Sequence, residues 1–342
     1  MTDVANALPS QPGVLLHSYL FAWLFFLGLS LGSGGLLMLY QLTGGHWMLP
    51  LHRYLRAALA PLLALALLFI PVLSGLAYVY PWAHGSHSVA DKAWYLNSAS
   101  FVLRAIIALT LWLILTSGHR RVTGRDPRLN GRSAVGLIVY FVTMTMAAVD
   151  WIGSLQSDWY STGFGLIVTT AQGLGAFAFA TSCATLASSR AGNPLSARAC
   201  GDLGNLLLAF VMTWMYLAFV QFLIIWAEDL PHETVWYFPR LRTDWLYITL
   251  GLFALQFALP FCLLLFRRVT RRPGSLALIA LTALAGNLIY VSWLVLPSVN
   301  PGGIHYGWTD LVALMAIGGV WAFFFSRDLE KTRPEHWRTA HG

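Results

Sequence analysis

The sequence predicts an all-α integral membrane protein with nine transmembrane helices, and three observations carry that prediction. Of 342 residues, 57% are hydrophobic and only 10% are charged, with mean hydropathy +0.64, which lies outside the range of soluble domains. Nine apolar runs are each long enough to cross a hydrocarbon core of about 30 Å, which takes roughly 20 helical residues. A closed β-barrel, the other spanning solution, would show alternating polarity in segments of about ten residues. Stretches such as "PLLALALLFIPVLSGLAYVY" (61–80) are apolar on every side instead.

The runs are, in order, 17–41, 54–80, 99–117, 133–155, 161–187, 203–227, 244–266, 275–297 and 308–326, each bounded by Pro, Gly or charge. Helix 1 carries Gly28, Gly32 and Gly35 in "GLSLGSGGLLML" (28–39), small residues that let a neighbouring helix come close. No strand precedes them, so a nucleotide-binding glycine loop is excluded. Helix 3 holds Arg104 and helix 4 holds Asp150. Helix 6 opens on Asp202 and Asn205 and continues through Tyr216 and Gln221; helices 7 and 8 carry Gln256 and Asn287. Each of these polar residues is ordinarily interhelical hydrogen-bonding glue. Asp202, Asn205 and Tyr216 share one broad face while Gln221 lies off it, and an inner half-channel is the alternative role for that set.

Lys and Arg collect on the cytoplasmic side of membrane proteins. The segments after helices 1, 3, 5, 7 and 9 hold 17 of the 21 basic residues, the opposite side holds 3, and Arg104 lies within helix 3. The N-terminus is therefore expected outside (the periplasm of a bacterium) and the C-terminus in the cytoplasm. That distribution accounts for the net charge of +7 without a nucleic-acid partner. The densest loop, "GHRRVTGRDPRLNGRS" (118–133), is expected to set topology and to meet anionic lipid. Residues 1–16 lack a basic n-region, so helix 1 is expected to act as its own insertion signal.

All ten histidines fall at helix ends, in loops or in the tail, which leaves no mid-membrane axial pair for haem. Cys183, Cys200 and Cys262 have no CxxC spacing and are expected to be packing residues rather than cluster ligands. The sharper signal is charge within hydrocarbon, a functional hypothesis by default. Arg104 lies six residues into helix 3, and Asp150 five residues from the end of helix 4. At about 1.5 Å per residue both sit roughly 8–9 Å below the outer surface, so they are expected to meet. The pair either fixes helix register or serves a proton path or quinone headgroup; snorkelling to the interface is the third option. Asp158, in the second Asp–Trp pair just outside helix 4, joins the candidates. The Trp and Tyr clusters at 80–95, 151–160 and 236–237 are expected to form an outer aromatic belt.

Five stretches together resemble one family: "HSYLFAWLFFLGLSLGSGGLLMLYQLTGGHW" (17–47), "VYPWA" (79–83), "KAWYLN" with "FVLRA" (92–105), "AVDWIGSLQSDWYSTGFG" (148–165) and "DLGNLLLAFVMTWMYLAFVQFLIIWAEDLP" (202–231). Their order and spacing are similar to those of the ActF-type membrane subunits of bacterial alternative complex III, within the polysulphide-reductase-anchor (NrfD-like) superfamily. The resemblance implies two four-helix bundles, helices 1–4 (17–160) and 5–8 (161–300), preceded by a periplasmic segment (1–16) and followed by a peripheral helix and cytoplasmic tail (301–342). It also implies a bacterial inner-membrane complex that oxidises quinol and passes electrons through an iron–sulphur subunit to haem c subunits, with a terminal cytochrome oxidase as a further neighbour. The sister ActC-type subunit is the one credited with the quinol site. This chain is then expected to bind no cofactor directly, with quinone or membrane lipid as candidate small partners, and to support assembly, with proton conduction as a further candidate role. The family has ten helices, and the first apolar run here corresponds to its second. A secondary transporter and a purely structural anchor of another quinone-linked oxidoreductase are the alternatives.

Overall fold

The computed structural model describes residues 11–84, 94–120, 124–304 and 306–331. Among them every regular element is helical, and nine helices are long and apolar enough to span a membrane: Pro12–Thr43, His52–Ser74, Ser98–Ser117, Pro127–Leu155, Phe164–Arg190, Ala197–Glu228, Trp245–Leu264, Pro273–Val299 and Trp308–Lys331. They are helices 1 to 9 below. Several run past the apolar segments that announced them, because polar caps outside the hydrocarbon zone continue the helical hydrogen-bonding. Ser196 accepts from the Ala199 N–H at 3.2 Å to start helix 6, and Asn97 accepts from Ser100 at 2.9 Å to start helix 3.

Helices 1–4 pack in one ring and helices 5–8 in another, and the rings share a wall. Helix 1 lies along helices 5 and 8 as well as helices 2 and 4, and helix 5 packs most extensively on helix 8. The close approach of helices 1 and 5 rests on Gly32, where a Cβ would stand 2.1 Å from the Gln172 carbonyl oxygen. Helix 9 docks on helices 1 and 2 at the edge of the first ring, its Trp321 indole donating to Ser30 at 3.0 Å.

Helix 2 is locally overwound. Pro61 and Pro71 lack N–H groups, and tighter bonds run from Phe69 N to Ala66 O and from Val72 N to Phe69 O. The carbonyls of Leu65 and Leu68 are thereby freed. Helix 1 supplies their donors: Trp23 Nε1 reaches Leu65 O at 2.7 Å and Tyr19 Oη reaches Leu68 O at 2.6 Å. Helix 7 has a π-turn over Phe253–Ala258 just before Pro260. The basic segment after helix 3 closes helix ends. Arg125 donates to Gln41 O and Leu42 O at 3.1 and 3.3 Å, and Arg132 donates to Ile114 O, so cations close the C-termini of helices 1 and 3, where the helix dipole favours them.

Candidate functional site

Arg104 and Asp150 meet as their depths require. The guanidinium engages both carboxylate oxygens, Nε to Oδ2 at 2.7 Å and Nη2 to Oδ1 at 3.0 Å, and its Nη1 donates to the Tyr95 carbonyl at 3.1 Å. The bidentate fork is the strongest form of such a pair. Asp150 is 2% exposed and Arg104 16%. The Tyr95 ring lies 3.9 Å from the guanidinium carbon. Burial, reinforced by the Asp150 charge, pushes the Tyr95 phenol up to about 12, so it stays protonated and able to donate to the carboxylate. Beside the pair, Tyr80 donates to the Trp151 carbonyl at 3.2 Å, and Trp151 packs edge-on against Trp23 and Trp112.

The other candidates separate. Asp158 is exposed in the loop after helix 4. Asp202 and Asn205 are exposed, and Tyr216, midway along helix 6, is 66% exposed. The face that these three share points out of the protein, so within this chain it lines no half-channel. Gln221, off that face, turns inward instead: it accepts from Ser161 at 3.0 Å and donates to the Tyr237 hydroxyl at 3.3 Å. Asn287 behaves as glue, donating to the Ala171 carbonyl at 2.9 Å, whereas the fully buried Gln256 amide has no hydrogen-bond partner among the described residues.

The expected aromatic belt holds only in part. Trp94 and Tyr160 are exposed, but Tyr80, Trp82, Trp151, Trp159 and Trp236 are buried. Trp159 stacks on Trp236 with ring centroids 4.2 Å apart. Of the cysteines, Cys200 is buried and Cys262 is exposed on helix 7 rather than packed.

Gln221 opens onto a cleft that the sequence did not announce. It lies between helices 5, 6, 7 and 8, has a cavity volume of about 210 Å³, and is walled by Trp214, Trp236, Tyr237, Tyr290 and Trp293. Ile167 and Gln221 also border a second, outer hollow that carries Ser161, Glu228 and Glu233.

Behind the aromatic wall stands Arg240, fully buried. Its guanidinium lies 3.6 Å from the Trp236 ring and donates to four groups: Trp236 O at 2.6 Å, Trp293 O at 3.2 Å, Leu294 O at 3.0 Å and Ser298 Oγ at 3.3 Å. The Trp293 carbonyl is free to accept because its normal partner in helix 8 would be the N–H of Pro297, which does not exist. Among the described residues no carboxylate stands within 4 Å of Arg240. Burial pushes its pKa down to about 9, which still leaves a cation at neutral pH.

The two halves thus solve one problem twice. A Trp-Tyr pair precedes helix 3 ("WYLN", 94–97) and helix 7 ("WYFP", 236–239), and each half stacks an Arg on a ring of that pair. The first half pairs it with Asp150, the second with backbone carbonyls, one of which a proline leaves open. That repeat was the one available sequence signal for Arg240.

Replacing Arg240 with Met is expected to destabilise the protein by about 2 kcal/mol, because the Trp293 and Leu294 carbonyls lose a charged donor. The loss is moderated because an uncompensated buried cation also disappears. Arg240→Lys should recover only part of it, since an ammonium cannot fork across two carbonyls. Thermal unfolding in mild detergent reads both variants, and a wild-type midpoint for Arg240→Met would contradict the assignment. Comparison with protein-family models and with curated protein sequences returns no match.

Proposed function

We propose that this chain is a cofactor-free membrane subunit of a bacterial quinol:cytochrome c oxidoreductase of the alternative complex III type. Its contribution is to scaffold the membrane arm beside an ActC-type sister subunit, an iron–sulphur subunit and haem c subunits. The observation that carries the reading is the outward face of helix 6. Tyr216 presents a 66% exposed phenol near mid-helix, in line with the exposed Asp202 and Asn205. Polar groups facing hydrocarbon are costly, and a neighbouring subunit satisfies them where lipid does not. The Arg104–Asp150 pair fits the same role, because both carboxylate oxygens are already committed to the guanidinium. Proton conduction coupled to quinol oxidation is the part of this reading that Asp150 tests.

The transporter alternative is disfavoured by where helices are interrupted. Paired repeats would place broken helices at matching positions. Here helix 2 is overwound and helix 7 carries the π-turn, the second helix of one half and the third of the other.

Purifying the tagged protein in mild detergent tests the proposal. Co-elution of haem c and iron–sulphur subunits, lost in Tyr216→Arg, is the expected result. A monodisperse lone protein that binds a small solute would favour transport instead. The proposed orientation, with the N-terminus periplasmic and the C-terminus cytoplasmic in the inner membrane, has its own check. Cysteines placed at Gly131 and Gly274, both exposed, should react with an impermeant thiol reagent only after the membrane is opened. Labelling of intact spheroplasts at either site would reverse the topology.

A further inference from the structure

We infer that the cleft of the second bundle is a binding site for a lipid-soluble quinone, and that it prefers the oxidised form to the quinol. The ligand class rests on the quinone-linked reading above, whereas the existence of a site rests on the cleft alone.

Three features of the cleft select the occupant. The first is access. Phe219 of helix 6 and Phe253 of helix 7 border the cleft and are 49% and 45% exposed, so its mouth lies between these helices and opens sideways, toward the hydrocarbon. A ligand entering there arrives from the bilayer, and a flat ring fits between walls made of Trp and Tyr faces.

The second feature is a donor left over at the wall. The Tyr237 oxygen already accepts from Gln221, which leaves its own proton to give, and a buried donor left unmatched costs free energy. The Trp214 indole N–H adds nothing, because it is sealed from the cleft beside the Tyr290 phenol. A ring with carbonyl oxygens takes the Tyr237 proton and brings no donor of its own. An acyl chain offers no acceptor, and a quinol hydroxyl that accepts this proton still has its own to place.

The third feature is charge. Arg240 holds a cation directly behind Trp236 and Trp293, at 3.6 and 4.9 Å from their rings, with no carboxylate beside it. In a low-dielectric wall its field reaches the cleft little screened. It favours the negative end of a carbonyl dipole and disfavours a cationic ligand. An oxidised-form preference also separates this site from one that performs quinol oxidation, where the reduced form must be held.

The test uses the isolated chain in lipid nanodiscs, with a decyl-substituted benzoquinone and its reduced quinol as probes, and reads saturable quenching of tryptophan fluorescence. The quinone is expected to bind at least fivefold more tightly than the quinol. Tyr237→Phe, which keeps the ring and removes the hydroxyl, should weaken quinone binding about fivefold, the scale of one hydrogen bond. Ala218→Trp, which fills the cleft, should abolish it, while Met212→Trp, on the exposed side of helix 6, should leave it unchanged. Absence of saturable binding to monodisperse wild-type protein, or undiminished binding in Ala218→Trp, would overturn the site. Complete exclusion of the probe by bilayer phospholipid would assign the cleft to acyl chains and overturn it equally. Equal affinity for the two redox forms would overturn the selectivity. Because no partner subunit is required, failure here is distinguishable from failure of co-purification.

Discussion

Asp150→Asn is expected to destabilise the first bundle by about 3–5 kcal/mol, the scale for removing one partner of a buried ion pair. The reason is what stays behind. Arg104 is only 16% exposed, and the Asn amide offers its guanidinium one neutral oxygen and a repelling NH2 in place of two charged oxygens, beside Tyr95 O and the Tyr95 ring. Neutralising both partners, with Arg104→Gln added to Asp150→Asn, should therefore be milder than the single change. That ordering separates a charge-pairing role from a merely spatial one. Unfolding midpoints of the three variants in the same detergent measure it, and a double variant no more stable than the single one would defeat the argument. The functional consequence follows from the same geometry. A carboxylate that gives both oxygens to one guanidinium has little freedom to relay protons, so Asp150→Asn should reduce the yield of assembled complex while the complex that does form keeps quinol oxidation and proton release. Normal assembly with lost proton release would instead put Asp150 on the proton path.

What could be read from the sequence depended on the kind of force involved. Hydrophobic length is a one-dimensional property, so the nine spans followed directly, and the depths of Arg104 and Asp150 followed from their distance to helix ends. Helix facing is a relation between neighbours and did not follow. The shared face of Asp202, Asn205 and Tyr216 was correctly grouped, yet only the packing of helix 6 shows that it turns outward. Arg240 was harder still. It reads as an ordinary loop cation, and its acceptors include the Trp293 carbonyl left open by Pro297, 57 positions further along the chain. The buried Trp151, Trp159 and Trp236 failed as belt residues for a related reason: Trp at a membrane boundary is common in either setting, and only tertiary contacts distinguish them.

Gly32 carries the second large expected effect. A methyl group at this position would lie 2.1 Å from the Gln172 carbonyl oxygen, 2.6 Å from its carbon and 2.9 Å from the Ala176 side chain. Two of those three atoms are backbone, so no rotamer change can yield the space, and helices 1 and 5 would have to separate. Separation would also loosen Gly28 against the Gln172 side chain and strain the Tyr140 hydroxyl donation to Gln172 Oε1 at 2.5 Å. Those contacts lie on the wall that the two bundles share, where helix association depends on close packing rather than on hydrophobic burial. Overpacking usually costs about 1–3 kcal/mol where side chains can adjust; with backbone as the obstacle, Gly32→Ala should reach or exceed the upper end, and Gly32→Leu should leave little folded protein. Gly251→Ala and Gly319→Ala are the controls, since both lie within membrane helices and a Cβ there meets nothing within 4 Å. Helix propensity alone should make them neutral or stabilising by up to about 1 kcal/mol. Thermal unfolding and the monodisperse fraction in detergent read all four variants together. Gly32→Ala unfolding alongside its two controls would mean that the helix 1–helix 5 contact can relax, and that the bundles are joined chiefly through helix 4 on helix 5 and helix 1 on helix 8.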